Sequence, residues 1–217
     1  FEYSFCCGTH VAHTGEVGLI KIRQWERRRE VVRVDFVCGG RALQDYHDKN
    51  RLAKRLSGKL SAPVEALEAA VDQSLLKCER LAEELLRTKQ ALYKNLAAQL
   101  AAQAVRTGAG VLVVDYVLVG ASPQDVALLA KELLQQPDAV VLLAGVTEAA
   151  KAHLLFASAG AGAGGLPMGV LLQQTLLPLG GKGGGSATAA QGGCPGEKAA
   201  AALQSAKSAV LAALDGR

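Results

Sequence analysis

Apolar positions change their period along the chain, and the changes divide it. Between residues 16 and 38 two apolar-rich runs, Val17 to Ile22 and Val31 to Val37, flank the charged stretch Arg23-Gln-Trp-Glu-Arg-Arg-Arg-Glu30. In the second run Val32, Val34 and Phe36 alternate with Arg33 and Asp35, the period of a strand with one buried face. A β-hairpin with a charged turn is predicted. Gly39-Gly40 ends the sheet, and a helical pattern opens at Leu43. A break is expected at Ser57-Gly58 and a restart at Ser61-Ala62-Pro63, with Ser61 or Ala62 as cap and Pro63 in the first turn.

From Val64 a heptad can be laid down. Position a reads Val64, Val71, Cys78, Leu85 and Leu92, position d reads Leu67, Ser74, Leu81 and Thr88, and Leu75 and Leu96 widen the stripe. One long amphipathic helix to about Arg106 is predicted. Polar seam residues leave two readings open, a spacer packed on its own chain or a short dimer seam.

After Thr107-Gly-Ala-Gly110 the run Val111 to Val119 is nearly all apolar, as in a strand buried on both faces. Ala121-Ser122-Pro123 caps a helix to Gln135, and Ala139 to Ala144 is a second buried strand. Strand, helix and strand in so short a span predict a parallel βαβ unit. A third strand over Ala152 to Ala157, a helix from Met168 to Leu177 and an Ala/Leu-rich helix from Glu197 to Asp215 complete an α/β pattern. The expected architecture is α/β: a hairpin-bearing remnant of an α+β domain over 1–60, a helical spacer over 61–107, and a βαβ-containing α/β domain over 108–217.

Composition narrows this picture. Half of the 217 residues are apolar and the 24 glycines cluster without a collagen period, so a folded chain is expected. The five cysteines, Cys6, Cys7, Cys38, Cys78 and Cys194, are odd in number and make no C-x-x-C, which fits reduced thiols and a cytoplasmic location. The uncharged stretch from His153 to Gly181 is interrupted by AGAGAGG at 159–165 and by Pro167 and Pro178, unlike a membrane span. Met168 is the only methionine, so a segment upstream of Phe1 is expected. Residues 1–60 carry twelve Lys/Arg against seven Asp/Glu, whereas the remainder carries twelve against thirteen. A positive surface on the first segment would favour a polyanion such as tRNA.

Two motifs carry candidate chemistry. Cys6-Cys7-Gly8-Thr9-His10 places a thiol and an imidazole four residues apart, a spacing that can bring both to one metal when Gly8 closes the turn. Val11-Ala-His-Thr-Gly-Glu-Val-Gly18 follows directly. The second is Gly180-Gly181-Lys182-Gly183-Gly184-Gly185, followed by Ala190-Gln191-Gly-Gly193. Consecutive glycine amides can converge on a phosphate, and Lys182 adds a matching charge. The scarcity of aromatics, nine in all, argues against a base-stacking platform.

Taken together, Cys6 to Gly18 resembles the C-G-G-T-H-V-x-x-T-G-E-I-G signature of the editing domain shared by alanyl-tRNA synthetases and AlaX-type editing proteins. The hairpin ending Arg33-Val-Asp-Phe-Val-Cys-Gly-Gly-Arg-Ala-Leu43 is closer to the free-standing members. The glycine-rich segment resembles the glycine-rich turn of the domain associated with Asp-His-His phosphoesterases, which both groups carry at their C-terminus. The resemblance implies that this is the C-terminal part of a long editing protein, hydrolysing tRNA for alanine mischarged with serine or glycine. The alternatives are the end of an alanyl-tRNA synthetase or a non-catalytic tRNA-binding and dimerisation module. An Asp-His-His phosphoesterase is disfavoured because the triplet is absent.

The resemblance also implies zinc, with Cys6 and His10 as two ligands and an upstream H-x-x-x-H supplying the others. His13, His47 and His153 form no such pair. It assigns phosphate or tRNA contacts to Gly180, Gly181, Lys182, Gly183, Gly184, Gly185 and Gln191, and leaves the catalytic residue unknown. Cys7 stands where the family has Gly, and Ser186-Ala187 where relatives tend to have Arg-Pro. No membrane partner is expected. A homodimer through the 64–106 helix or the C-terminal domain is compatible with the pattern.

Overall fold

The computed structural model describes residues 5–160 and 166–215, so part of the glycine-rich interruption at 159–165 lies outside the described residues. The chain forms two compact units, Phe1–Arg80 and Leu81–Arg217. In the first, a 3-10 turn over Thr14–Val17 leads into β1 (Ile20–Arg28), which pairs antiparallel with β2 (Val31–Cys38). The hairpin is as expected, but its turn is shorter. Arg28 pairs with Val31, leaving Arg29 and Glu30 as the connection, with Arg29 at φ 54°. Residues 23–28, four of them charged, are strand residues, and every position of β1 is exposed, so charge on either face stays solvated. The buried face expected of this strand is not found: Val32, Val34 and Phe36 are 53%, 43% and 59% exposed.

Helix α1 (Gly39–Leu60) runs through Ser57-Gly58 without the expected break. Ser57 Oγ donates to the Ala62 carbonyl at 2.6 Å, and the Ser61 amide donates to the Ser57 carbonyl. Ser61, at φ 51°, therefore ends α1 in the left-handed conformation and does not cap the next helix. Pro63 precedes a 3-10 turn over Val64–Ala66 that continues into α2 (Leu67–Gln103). This helix is long, as the heptad predicts. It stops before Arg106, because Val105-Arg106 (β3) pair antiparallel with Val113 and Leu112. Seam residues Val71, Leu81, Leu85 and Leu92 are exposed, whereas Tyr93 and Ala97 are buried in the core of the second unit.

That unit is built on a mixed sheet in the order β3-β4-β5-β6-β8-β7. β4 (Leu112–Val119) and β5 (Ala139–Val146) are parallel over eight pairs, joined by α3 (Pro123–Leu133), as the βαβ pattern predicts. β6 (Lys151–Ala159) is antiparallel to β5 and to β8 (Ala189–Pro195), whose other neighbour is the edge strand β7 (Lys182–Gly185). Alternate residues face opposite layers. Leu112, Val114, Val141 and Leu143 pack with α3 and the end of α2. Val113, Leu142, Leu154 and Phe156 pack with α4 (Met168–Leu176) and α5 (Ala199–Asp215). Coverage on both sides explains why β4 and β5 read as continuous apolar runs.

Asp125 joins α2 to α3. Its Oδ2 accepts from the Ser122 amide at 2.9 Å and the Ser122 hydroxyl at 2.7 Å, while its own amide donates to Ser122 Oγ at 3.3 Å. Oδ1 has no hydrogen bond of good angle, and the Lys89 ammonium meets it at 2.8 Å. Burial pushes the carboxyl up, but Lys89 and Ser122 outweigh it and hold the pKa at about 2. A lowered folded pKa stabilises above the unfolded value. This contribution, about 2 kcal/mol, is complete above about pH 4 and is lost as pH falls toward 2.

Candidate nucleic-acid interface and metal half-site

The glycine-rich segment is an edge strand, not the turn that the resemblance implies. Leu177–Leu179 form a 3-10 turn after α4, Gly180 closes it at φ 70°, and the Gly181 amide donates to the Leu176 carbonyl at 3.1 Å. From Lys182 the backbone is extended. Lys182 pairs with Gly193, Gly183 with Gly192, Gly184 with Gln191 and Gly185 with Ala190. The ladder thus brings Gln191 directly opposite Gly184, joining the two segments that the sequence left apart.

Packing accounts for most of these glycines. A Cβ on Gly181 would lie 2.5 Å from the Gly193 carbonyl oxygen, and one on Gly183 would lie 2.7 Å from Gly192 Cα. On Gly192 it would meet Leu176 of α4 at 2.5 Å. The backbone of the paired strand, together with Leu172 and Leu176 of α4, comes so close that only hydrogen fits at these positions. Gly184 differs. Its φ is not left-handed, and the nearest atom to an added Cβ is Gln173 Nε2 at 4.0 Å. No steric demand of the fold keeps glycine there.

Beside β7 lies an open hollow of about 520 Å³, lined by Gln173, Gln174, Leu177, Gly181, Lys182 and Gly183. The Lys182 side chain is exposed and makes no hydrogen bond or ion pair among the described residues. The donors available there are its ammonium, the glutamine amides and the outward backbone of an edge strand. The N-terminus of α4 does not contribute. Its Met168 and Gly169 amides donate to the carbonyls of Ala187 and Ser186 at 3.0 and 2.9 Å. Ser186 seals the β7–β8 turn by accepting from the Thr188 and Ala189 amides at 3.2 and 3.1 Å. Sequence reasoning missed Gln173, which the helical pattern placed on α4 with no sign of what it would face.

Cys6 and His10 lie in the irregular chain before the hairpin, and both are exposed. The Gly8 amide donates to Cys6 Sγ at 3.4 Å. Beyond it, His13 Nδ1 is 2.6 Å from Glu16 Oε1. Among the described residues no group of three or more His, Cys, Asp or Glu side chains is placed to hold a metal ion. Two exposed donors do not by themselves fit a tetrahedral zinc site, which takes four ligands or three and a water. His153 lies on β6 in the second unit, between Gly145 and Gly193, and burial pushes its pKa down. Among the described residues no helix is long and apolar enough to cross a membrane.

Comparison with known proteins agrees with the two motifs. Residues 1–34 match the threonyl and alanyl tRNA synthetase second additional domain, and residues 109–212 match the DHHA1 domain. The chain is 33% identical over 199 residues to an alanine–tRNA ligase of Thermobifida fusca, which covers 88% of this chain and 22% of the ligase. A second alanine–tRNA ligase, from Methanosarcina acetivorans, is 34% identical over 191 residues, covering 87% of this chain and 20% of the ligase. The chain therefore spans about a fifth of the length of these relatives. Among solved structures, the C-Ala domain of Aquifex aeolicus alanyl-tRNA synthetase matches at 21% identity and a TM-score of 0.42, covering 46% of this chain and 92% of that one.

Proposed function

From a chain that is alanyl-tRNA synthetase-like or AlaX-type in its C-terminal arrangement, with the end of a second additional domain followed by a DHHA1 domain, we infer a tRNA-binding role served by β7. The partner in this reading is tRNA for alanine. Gly184 supports it most directly: the fold leaves space for a side chain there, and glycine instead keeps the edge backbone bare beside Lys182. A phosphate could approach the strand amides at that point, with the ammonium and the Gln173 amide as further donors. Lys182→Glu removes one cationic contact and introduces repulsion. In a salt titration of tRNA binding it should weaken affinity at every salt concentration and reduce the magnitude of the log–log slope by about one unit. Unchanged affinity and slope in a folded variant would remove β7 from the interface.

Hydrolysis of Ser- or Gly-tRNA for alanine belongs to the same reading, with zinc as the implied metal. In it Cys6 and His10 are half of the ligand set, and two further donors must come from outside the described residues. The 217-residue chain, dialysed and then supplied with zinc, should retain far less than one equivalent and leave seryl-tRNA for alanine intact. Stoichiometric zinc together with deacylation would show that the half-site suffices.

A further inference from the structure

We propose that the exposed basic face of α1, formed by Arg41, Arg51, Lys54, Arg55 and Lys59, is a second docking surface for the phosphate backbone of RNA. The helix is amphipathic. At 100° per residue these five side chains fall within about 140° of arc, while Ala42, Ala53, Ser57 and Leu60, which are among its less exposed positions, lie on the opposite side. One carboxylate, Asp48, interrupts the basic arc and is paired with Arg51. Arg41, Lys54, Arg55 and Lys59 make no hydrogen bond or ion pair among the described residues, unlike Lys89 and Lys207, which are matched to Asp125 and Asp115. Asp48, Arg51, Lys54 and Arg55 border an open hollow of about 510 Å³. From Arg51 to Lys59 the axis rises about 12 Å, long enough for cations to meet successive phosphates. The segment holding this helix also carries the charge excess of the whole chain.

A solvated helix face generally intersperses both signs of charge along its surface. Here unpaired cations outnumber the single carboxylate on one side, the arrangement that neutralises a polyanion and releases its counterions. A membrane surface is the other polyanion to weigh. Interfacial helices need large apolar side chains free to enter the lipid. Outside this basic arc Tyr46, Leu52 and Leu56 are exposed, so a vesicle arm belongs in the test, and the likeness of the chain to alanine–tRNA ligases favours RNA.

The proposal rests on the tRNA-binding reading above but concerns a different unit of the chain, so the two can fail separately. The probe is transcribed tRNA for alanine, titrated by fluorescence anisotropy between about 50 and 200 mM salt with the 217-residue chain. The triple variant Lys54→Gln, Arg55→Gln, Lys59→Gln keeps good helix formers and breaks no ion pair. It should bind at least about tenfold more weakly and lower the magnitude of the salt slope by two to three units. Asp48→Asn removes the one negative charge and should bind tighter. Affinity and slope unchanged in the triple variant would overturn the proposal. So would binding of phosphatidylserine vesicles that the triple variant abolishes while tRNA binding stays intact. If circular dichroism shows the triple variant unfolded, Asp48→Asn decides: a gain supports the docking surface and no change removes it. Lys182→Glu run alongside separates the sites, since its silence beside a weakened triple variant would overturn the β7 reading alone.

Discussion

Gly183→Val and Gly185→Val should each destabilise the second unit by about 3 kcal/mol, whereas Gly184→Val should change stability by less than about 0.5 kcal/mol. The three sites are adjacent on one short strand, so propensity and exposure cannot separate them. Only the space available to a side chain does. A Cβ on Gly183 would sit 2.7 Å from both the Gln191 carbonyl oxygen and Gly192 Cα and 3.0 Å from Leu172, and on Gly185 it would run into the backbone of Ala189 and Ala190. Relief requires β7 to part from β8, which costs ladder hydrogen bonds and the packing of α4 on the strand. At Gly184 the same atom meets nothing nearer than 4.0 Å, and valine suits extended backbone. Urea unfolding with unchanged m-values reads this difference. Equal losses at all three positions would show that close packing does not decide which of these glycines the fold requires. The result also bears on RNA: a folded Gly184→Val that binds tRNA weakly would separate the ligand's need for bare backbone from the fold's need.

The second unit was legible in the sequence because buried strands and amphipathic helices leave periodic signals. Val111 to Val119 and Ala139 to Ala144 read as strands covered on both faces, and Ser122-Pro123 marked the start of α3 to the residue. Three features were not legible, each for a physical reason. Ser57-Gly58 looks like a helix break, but the Ser57 hydroxyl and carbonyl bond forward to Ala62 and Ser61, and propensity alone does not register such bonds. Val105-Arg106 continued a helical pattern and instead pair with β4, a tertiary preference for a two-residue stretch. The run at 180–185 looks like a loop because glycine is the residue of loops. Only the three-dimensional approach of the β8 backbone and of α4 shows why a strand here must be made of it. For the candidate site, the two segments holding Gly180–Gly185 and Gln191 were readable as motifs, but the pairing that brings them together and opposes Gly184 to Gln191 was not. The metal half-site remains a spacing motif: Cys6 and His10 are exposed in irregular chain, where no periodicity could place their partners.

Phe156→Ala should cost about 3–5 kcal/mol, the largest loss expected from any single truncation in this unit. Phe156 is fully buried on β6, in register with Leu142 of β5 on one side and Ala190 of β8 on the other. Its ring belongs to the core that α4 and α5 cover, so removing it empties space beneath the helix that backs the glycine edge. A domain of ordinary stability holds about 5–15 kcal/mol in all, so the variant should melt well below the parent while remaining folded in the cold. Val119→Ala is the matched control. Val119 ends β4 on the same sheet and is 87% exposed, and its truncation should stay within about 0.5 kcal/mol. Because Phe156 touches no proposed RNA contact, tRNA affinity of the Phe156→Ala chain should equal that of the parent at low temperature and vanish along its own melting curve. Weak binding in the cold, with the variant folded, would mean that the emptied core lets α4 shift. The geometry of β7 would then depend on the core beneath it, and a substitution at Lys182 could no longer be read as the loss of a single contact.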